Sequence, residues 1–145
     1  MPRQRFTAPV AIHLFFIKEN QILLLRRAHT GYEDGKYSVV AGHLDGEEEV
    51  KAAAIREAKE EAGVEIKEED IQIVGVMHRK ASDERIDFFA TVNKWEGEIV
   101  NKEPEKCDDL RWFPLDQLPV NIIPYVLKAI HNYKEGIWFD SYGWR

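Results

Sequence analysis

Residues 42–64, GHLDGEEEVKAAAIREAKEEAGV, constrain the fold more than any other stretch, because they read as a loop and one helix set between extended segments on both sides. Asp45 is suited to be the N-cap with Glu48 three residues on, and Gly63 to take the left-handed position that ends a helix, so a helix is expected over 45–63. Upstream, residues 10–17 are apolar on both alternating faces, with Val10, Ile12, Leu14 and Phe16 on one and Ala11, Phe15 and Ile17 on the other. This is the pattern of a covered central strand. The polar break at Lys18, Glu19 and Asn20 and the apolar run 22–25 complete a hairpin. Residues 26–36, with Gly31 and Gly35, form a loop able to overhang a site, and 37–41 resume an extended run. Downstream, strands are expected at 71–78, 85–92 and 110–113, followed by an amphipathic helix over 123–133. Trp138, Phe139, Tyr142 and Trp144 form an aromatic tail.

The 145 residues, 44% of them hydrophobic and 32% charged, suit a single folded domain over 1–145. A net charge of −6 argues against a protein that coats a nucleic acid polymer, which needs a surplus of Lys and Arg, but leaves a small anion accompanied by a metal as a partner. The one cysteine, Cys107, excludes an intrachain disulfide. No apolar run approaches the roughly 20 residues that span a bilayer, and the start of the chain, with Arg3 and Arg5 ahead of Phe6, lacks a signal-peptide core. A cytoplasmic location without membrane attachment is expected.

Within the helix, Glu57, Glu60 and Glu61 stand at i, i+3 and i+4 and so share one side. Like charges at that spacing cost a few tenths of a kcal/mol per pair, which a bound divalent cation removes. Magnesium, with its preference for a few carboxylates plus substrate phosphates, suits the cluster, and manganese or calcium fits as well. Spacing alone equally allows a solvated glutamate face braced by Lys51 and Lys59.

The longer pattern decides between these. Gly42, Glu48, Arg56, Glu57, Ala58, Glu60, Glu61, Gly63 and Val64 fall in the order and spacing of the Nudix box, and the chain resembles the Nudix hydrolase superfamily. Its seven Gly, Glu and Arg matches would arise by chance on the order of once in a hundred thousand, which sets coincidence aside. Ala58 stands where a larger aliphatic is usual. Ala41, Gly42 and His43 replace the commoner Pro-Gly-Gly, and Gly46 comes one residue early. The order of elements also resembles the family's fold, an α/β/α sandwich with a mixed sheet between helices.

The resemblance implies that Glu57, Glu60, Glu61 and the Gly42 carbonyl hold Mg2+, with Mn2+ as an alternative, and that Glu48 and Arg56 brace the loop against the helix. These five side chains form the expected catalytic set. Water would attack phosphorus in a nucleoside diphosphate linked to another group, with Glu60 or Glu61 as base, or a carboxylate outside the box such as Glu105, Asp108 or Asp109. Arg26 or Arg27 would bind phosphates. His43 is either a phosphate contact or a structural residue, and Tyr32, Trp95 and Trp112 are either stacking platforms or core. Residues 78–87, HRKASDERID, lack the marks of the ADP-ribose, diadenosine polyphosphate and NADH subgroups. A MutT-like action on nucleoside triphosphates remains by elimination, in a monomer or homodimer. A Nudix-fold sensor that binds a nucleotide without turnover is the alternative.

Overall fold

A computed structural model describes residues 4–144; Arg3, part of the N-terminal reading above, lies outside them. Strands β1 (Val10–Lys18) and β2 (Gln21–Arg27) form the expected hairpin. Glu19 and Asn20 both have positive φ, 52° and 63°, as a tight two-residue turn requires, and Lys18 faces Gln21 across it. Beyond that turn the strands part. β2 pairs with β3 (Tyr37–Ser38) and β7 (Cys107–Pro114), whereas β1 runs antiparallel to β4 (Val40–His43) and parallel to β6 (Glu84–Val92). β6 pairs in turn with β5 (Ile71–Lys80), and β5 with β8 (Phe139–Tyr142). The main sheet is therefore mixed, in the order β4-β1-β6-β5-β8.

One helix covers each face. On one side α1 (Val50–Glu57) and the turn after it place Ala53, Ala54, Ala58 and Ala62 against Ile12, Leu14, Phe16, Val40, Ala90 and Val92. On the other, α2 (Pro124–Glu135) packs Val126, Ala129 and Ile130 against Phe15, Met77 and Phe89. The alternation of β1 thus serves both layers, as its two-faced apolar pattern predicts. All four alanines of the first layer are fully or almost fully buried, so small side chains let that helix lie close to the sheet. This accounts for Ala58 at a position where a larger aliphatic is usual. Among the described residues no helix is long and apolar enough to cross a membrane.

The structure departs from the sequence reading in three places. The helix does not begin at Asp45. Gly46 and Glu47 have φ of 90° and 51°, incompatible with a right-handed helix, and the cap is Glu49, whose side chain accepts from the Lys51 amide at 2.9 Å. Nor is it regular to its end, because residues Ala58–Ala62 form a π-helical turn before Gly63 closes it in the expected left-handed conformation. The third is β8, a strand where only an aromatic tail is expected; its four residues pair through their backbone and leave Phe139 exposed, so no alternation announces it.

Candidate active site

The π turn carries Glu60 and Glu61 and follows directly on Glu57, so the irregular part of the helix is the part that presents the carboxylates. Glu57 is buried against β4 at Gly42: a Cβ at that position would overlap the Glu57 carboxyl group. Gly42 is needed there for closeness of approach, since it sits in a strand. Glu61 reaches the same strand and accepts from the Ala41 amide at 3.2 Å.

Arg56 ties this helix to the loop before it. Its Nε and Nη2 donate to the two Glu48 oxygens at 2.9 and 3.1 Å, Nη2 donates to the His43 carbonyl at 3.1 Å, and Nη1 donates to Glu57 at 2.7 Å. One planar guanidinium thus braces three segments, a role that lysine, with its compact charge, cannot fill. The same hydrogen bonds hold Glu48 below the usual carboxylate range.

Burial pushes Glu57 up despite its bonds to Glu61 and Arg56. Glu61 is driven up further, by burial and by the charges of Glu57 and Glu103, against the pull of the Ala41 amide. Two carboxyls in contact in a dry place share a proton unless a cation replaces it. The donors are hard oxygens set against a close-fitting glycine strand, a set suited to a hard divalent cation. The shell is open: Glu60 leans toward Arg56 at 3.5 Å, and among the described residues no three His, Cys, Asp or Glu side chains converge tightly enough to ligate one ion.

Gly42, Glu57, Glu60 and Glu61 form one wall of a cleft of about 830 Å³, within the size range of small-molecule sites. Of the two arginines expected at phosphates, Arg27 lines this cleft and Arg26 does not. Arg27 is held by the Tyr32 carbonyl at 2.7 Å and Thr30 Oγ1 at 3.0 Å, in a loop gathered round the Asp34 carboxylate. Arg26 pairs with Asp108 at 2.7 Å on the neighbouring strand. Glu105, Asp108 and Asp109 are not on the cleft wall either; Asp109 is bound to the Tyr37 hydroxyl and to Arg111. The acidic side chain that the preceding loop brings to the wall is Glu103. Tyr32 and His43 line the cleft, whereas Trp95 and Trp112 stack on each other, 5.9 Å apart, outside its wall.

The sequence reading missed a buried polar group on the cleft lining. His13 on β1, Asp87 on β6 and Arg79 on β5 meet there, all buried. Asp87 Oδ1 is 2.9 Å from His13 Nε2, and Arg79 Nε donates to Oδ2 at 2.7 Å. The Arg79 guanidinium lies 3.6 Å from the Tyr125 ring, and His13 stacks on Phe89. Burial alone would raise Asp87, but the bonds from His13 and Arg79 outweigh it and bring its pKa down to about 2. The signal was available: a histidine and an aspartate interrupt the buried faces of two apolar strands, where a polar side chain must have a partner.

The sequence model of the NUDIX domain matches residues 7–133. Among curated proteins, the chain is 31% identical over 103 residues to the NAD-capped RNA hydrolase NudC of Vibrio parahaemolyticus, an alignment that covers 70% of this chain and 37% of that protein. The chain therefore spans little more than a third of that relative. Among solved structures it is similar to a MutT NUDIX hydrolase from Burkholderia pseudomallei, with TM-score 0.79 and 23% identity over 87% of this chain and 98% of the other. It is also similar to a MutT protein from Methanosarcina mazei Go1, with TM-score 0.76 and 16% identity over 92% and 97%. These likenesses bear out the α/β fold with a mixed sheet between helices, and with the match over residues 7–133 they establish that the chain belongs to the Nudix hydrolase superfamily.

Proposed function

We propose that this protein hydrolyses a phosphoanhydride in a nucleoside diphosphate linked to another group, a nucleoside triphosphate or related nucleotide, with Mg2+ or Mn2+ as cofactor. The observation that carries the reading is the cleft itself, with Gly42, Glu57, Glu60 and Glu61 on one wall and Arg27 and Lys106 on others. An acidic wall by itself repels a polyphosphate. Flanking cations and a divalent ion between carboxylates and phosphates make the same wall attractive.

Magnesium, when bound, supplies charge neutralisation on the bridging and leaving oxygens. Glu57, Glu60 and Glu61, with the Gly42 carbonyl, would hold it, and Arg56 keeps Glu57 and the 43–48 loop in register. Arg27, already fastened at two of its nitrogens, offers its charge to phosphate without a large ordering cost. Glu61 or Glu103 takes the proton from water. Both line the cleft.

The curated relative acts on NAD-capped RNA, so dinucleotides belong in the test beside nucleoside triphosphates. A panel of nucleoside triphosphates, nucleotide sugars and dinucleotides with Mg2+, scored for phosphate or pyrophosphate release, is expected to yield turnover that a Glu60→Gln, Glu61→Gln double variant lacks. Turnover equal in the variant would refute the site. Tight nucleotide binding with no turnover on the whole panel would favour a non-catalytic sensor.

A further inference from the structure

Tyr32 and Tyr125 both line the cleft, but they are placed differently. Tyr125 carries the Arg79 guanidinium on its ring at 3.6 Å, whereas Tyr32 is 50% exposed. A half-exposed tyrosine on a loop is ordinarily free to swing, yet the backbone of Tyr32 is pinned. Its carbonyl accepts from Arg27 Nε at 2.7 Å, and its amide donates to Thr30 Oγ1 at 3.1 Å. Asp34 gathers the same turn, accepting from the Thr30 hydroxyl at 2.6 Å and the Gly31 amide at 2.9 Å. The neighbours on either side, Gly31 and Glu33, lie in the left-handed region, with φ of 82° and 52°. For Glu33, which has a Cβ, that conformation is costly, and strain of this kind gathers in segments shaped for binding. Arg27 also stands over the Tyr32 ring, its Cζ 5.2 Å from the centroid. The ring is thus backed by a cation while half of the side chain stays open.

We propose that Tyr32 is the platform on which the substrate's nucleobase stacks, and that it favours the larger purine ring. A flat surface already held in place loses little freedom when a ring is laid on it, and every base offers a π face whatever its edge carries. Overlap grows with ring area, and dispersion with overlap, so a purine gains more than a pyrimidine. Arg27 connects this platform to the phosphates. It is fastened to the Tyr32 carbonyl and stands over the Tyr32 ring, so one nucleotide can set its phosphate on the arginine and its base on the tyrosine. The contacts that pin the loop are made by the backbone of residue 32, which any side chain would preserve; the aromatic ring is what the stacking requires.

The platform deepens the function proposed above and rests on the substrate being a nucleotide. Its test uses AMP, UMP and ribose 5-phosphate, which contain no anhydride and are not consumed, so it reads binding independently of the hydrolysis panel. Calorimetry on the full chain with Mg2+ should show AMP binding roughly tenfold tighter than ribose 5-phosphate, which lacks the base, with UMP between them. In Tyr32→Leu the advantage of AMP should vanish while ribose 5-phosphate binds as before, and in Tyr32→Trp the advantage should return. A loop that merely needed Tyr32 for its shape would lose all three ligands together. That outcome would overturn the platform, as would equal affinities for AMP and ribose 5-phosphate in the wild type, UMP bound as tightly as AMP, an advantage that survives Tyr32→Leu, or no binding by AMP. The wild-type ligand series and Tyr32→Trp decide the matter even where Tyr32→Leu fails to fold. Anhydride cleavage without a contribution from the base would leave the function standing and remove the platform; a base contribution without cleavage would do the reverse.

Discussion

Replacing Asp87 by asparagine tests the buried charge group directly. The Asp87 carboxyl has its pKa at about 2 instead of the ordinary 3.8, and its side chain is fully buried, so solvent does not screen the difference. At about 1.4 kcal/mol per pH unit, its ionisation contributes on the order of 2 kcal/mol to folding near neutrality. A carboxylate with a depressed folded pKa stabilises above the unfolded value and loses that contribution as pH falls through the folded one; roughly half is gone by pH 3. In Asp87→Asn the Arg79 guanidinium also remains buried without a counter-charge, for a total loss of about 3 to 5 kcal/mol at pH 7. Urea unfolding of both proteins in EDTA, followed by far-UV circular dichroism at pH 7 and pH 3, gives the comparison. The stability gap between wild type and variant should narrow by about 1 kcal/mol on acidification. A gap that stays constant or widens would refute the ionised, doubly bonded Asp87.

Glu61→Gln removes a carboxyl whose raised pKa makes ionisation costly in the folded state, so at pH 9 without metal the variant should unfold at a temperature no lower than wild type, and Mg2+ should no longer raise it. Arg56→Lys gives up the fork that joins Glu48, His43 and Glu57, and magnesium titration should show affinity weaker by about 10- to 100-fold. Gly42→Ala drives a methyl group into the Glu57 carboxyl; turnover should fall sharply, with about 1 to 3 kcal/mol lost in chemical denaturation. Glu103→Gln should lower kcat, whereas Glu105→Gln, off the cleft wall, should leave it within a factor of two or so.

Much of the fold was legible because its signals are local. The two-faced apolar pattern of β1, the turn at Glu19 and Asn20, the capping glycine at 63 and the alternation of β6 each depend on near neighbours in sequence. The carboxylates were legible for another reason, since Glu57, Glu60 and Glu61 belong to one continuous segment. Residues gathered from separate strands were not. His13, Arg79 and Asp87 meet only because β5, β6 and β1 are adjacent in the sheet, and no spacing along the chain encodes that adjacency. The choice between Arg26 and Arg27 turned on which face of β2 looks into the cleft, a matter of register. The late start of α1 has a backbone cause, the left-handed residues at 46 and 47, which a capping pattern of Asp45 and Glu48 conceals.

The short strand β8 has a consequence for how molecules of this protein meet one another. β5 is ten residues long and would otherwise present its outer edge, a row of unpaired amides and carbonyls, to solution. β8 occupies that edge from Val76 to Arg79, and the chain then holds to it, with the Trp144 indole donating to the His78 carbonyl at 2.9 Å and Gly143 so close to Lys80 that no side chain could fit. Trimming the chain at residue 136 would uncover a half-apolar template for intermolecular pairing. The final turn of chain thus acts as a guard against self-association, and its loss should show as precipitation under mild heating.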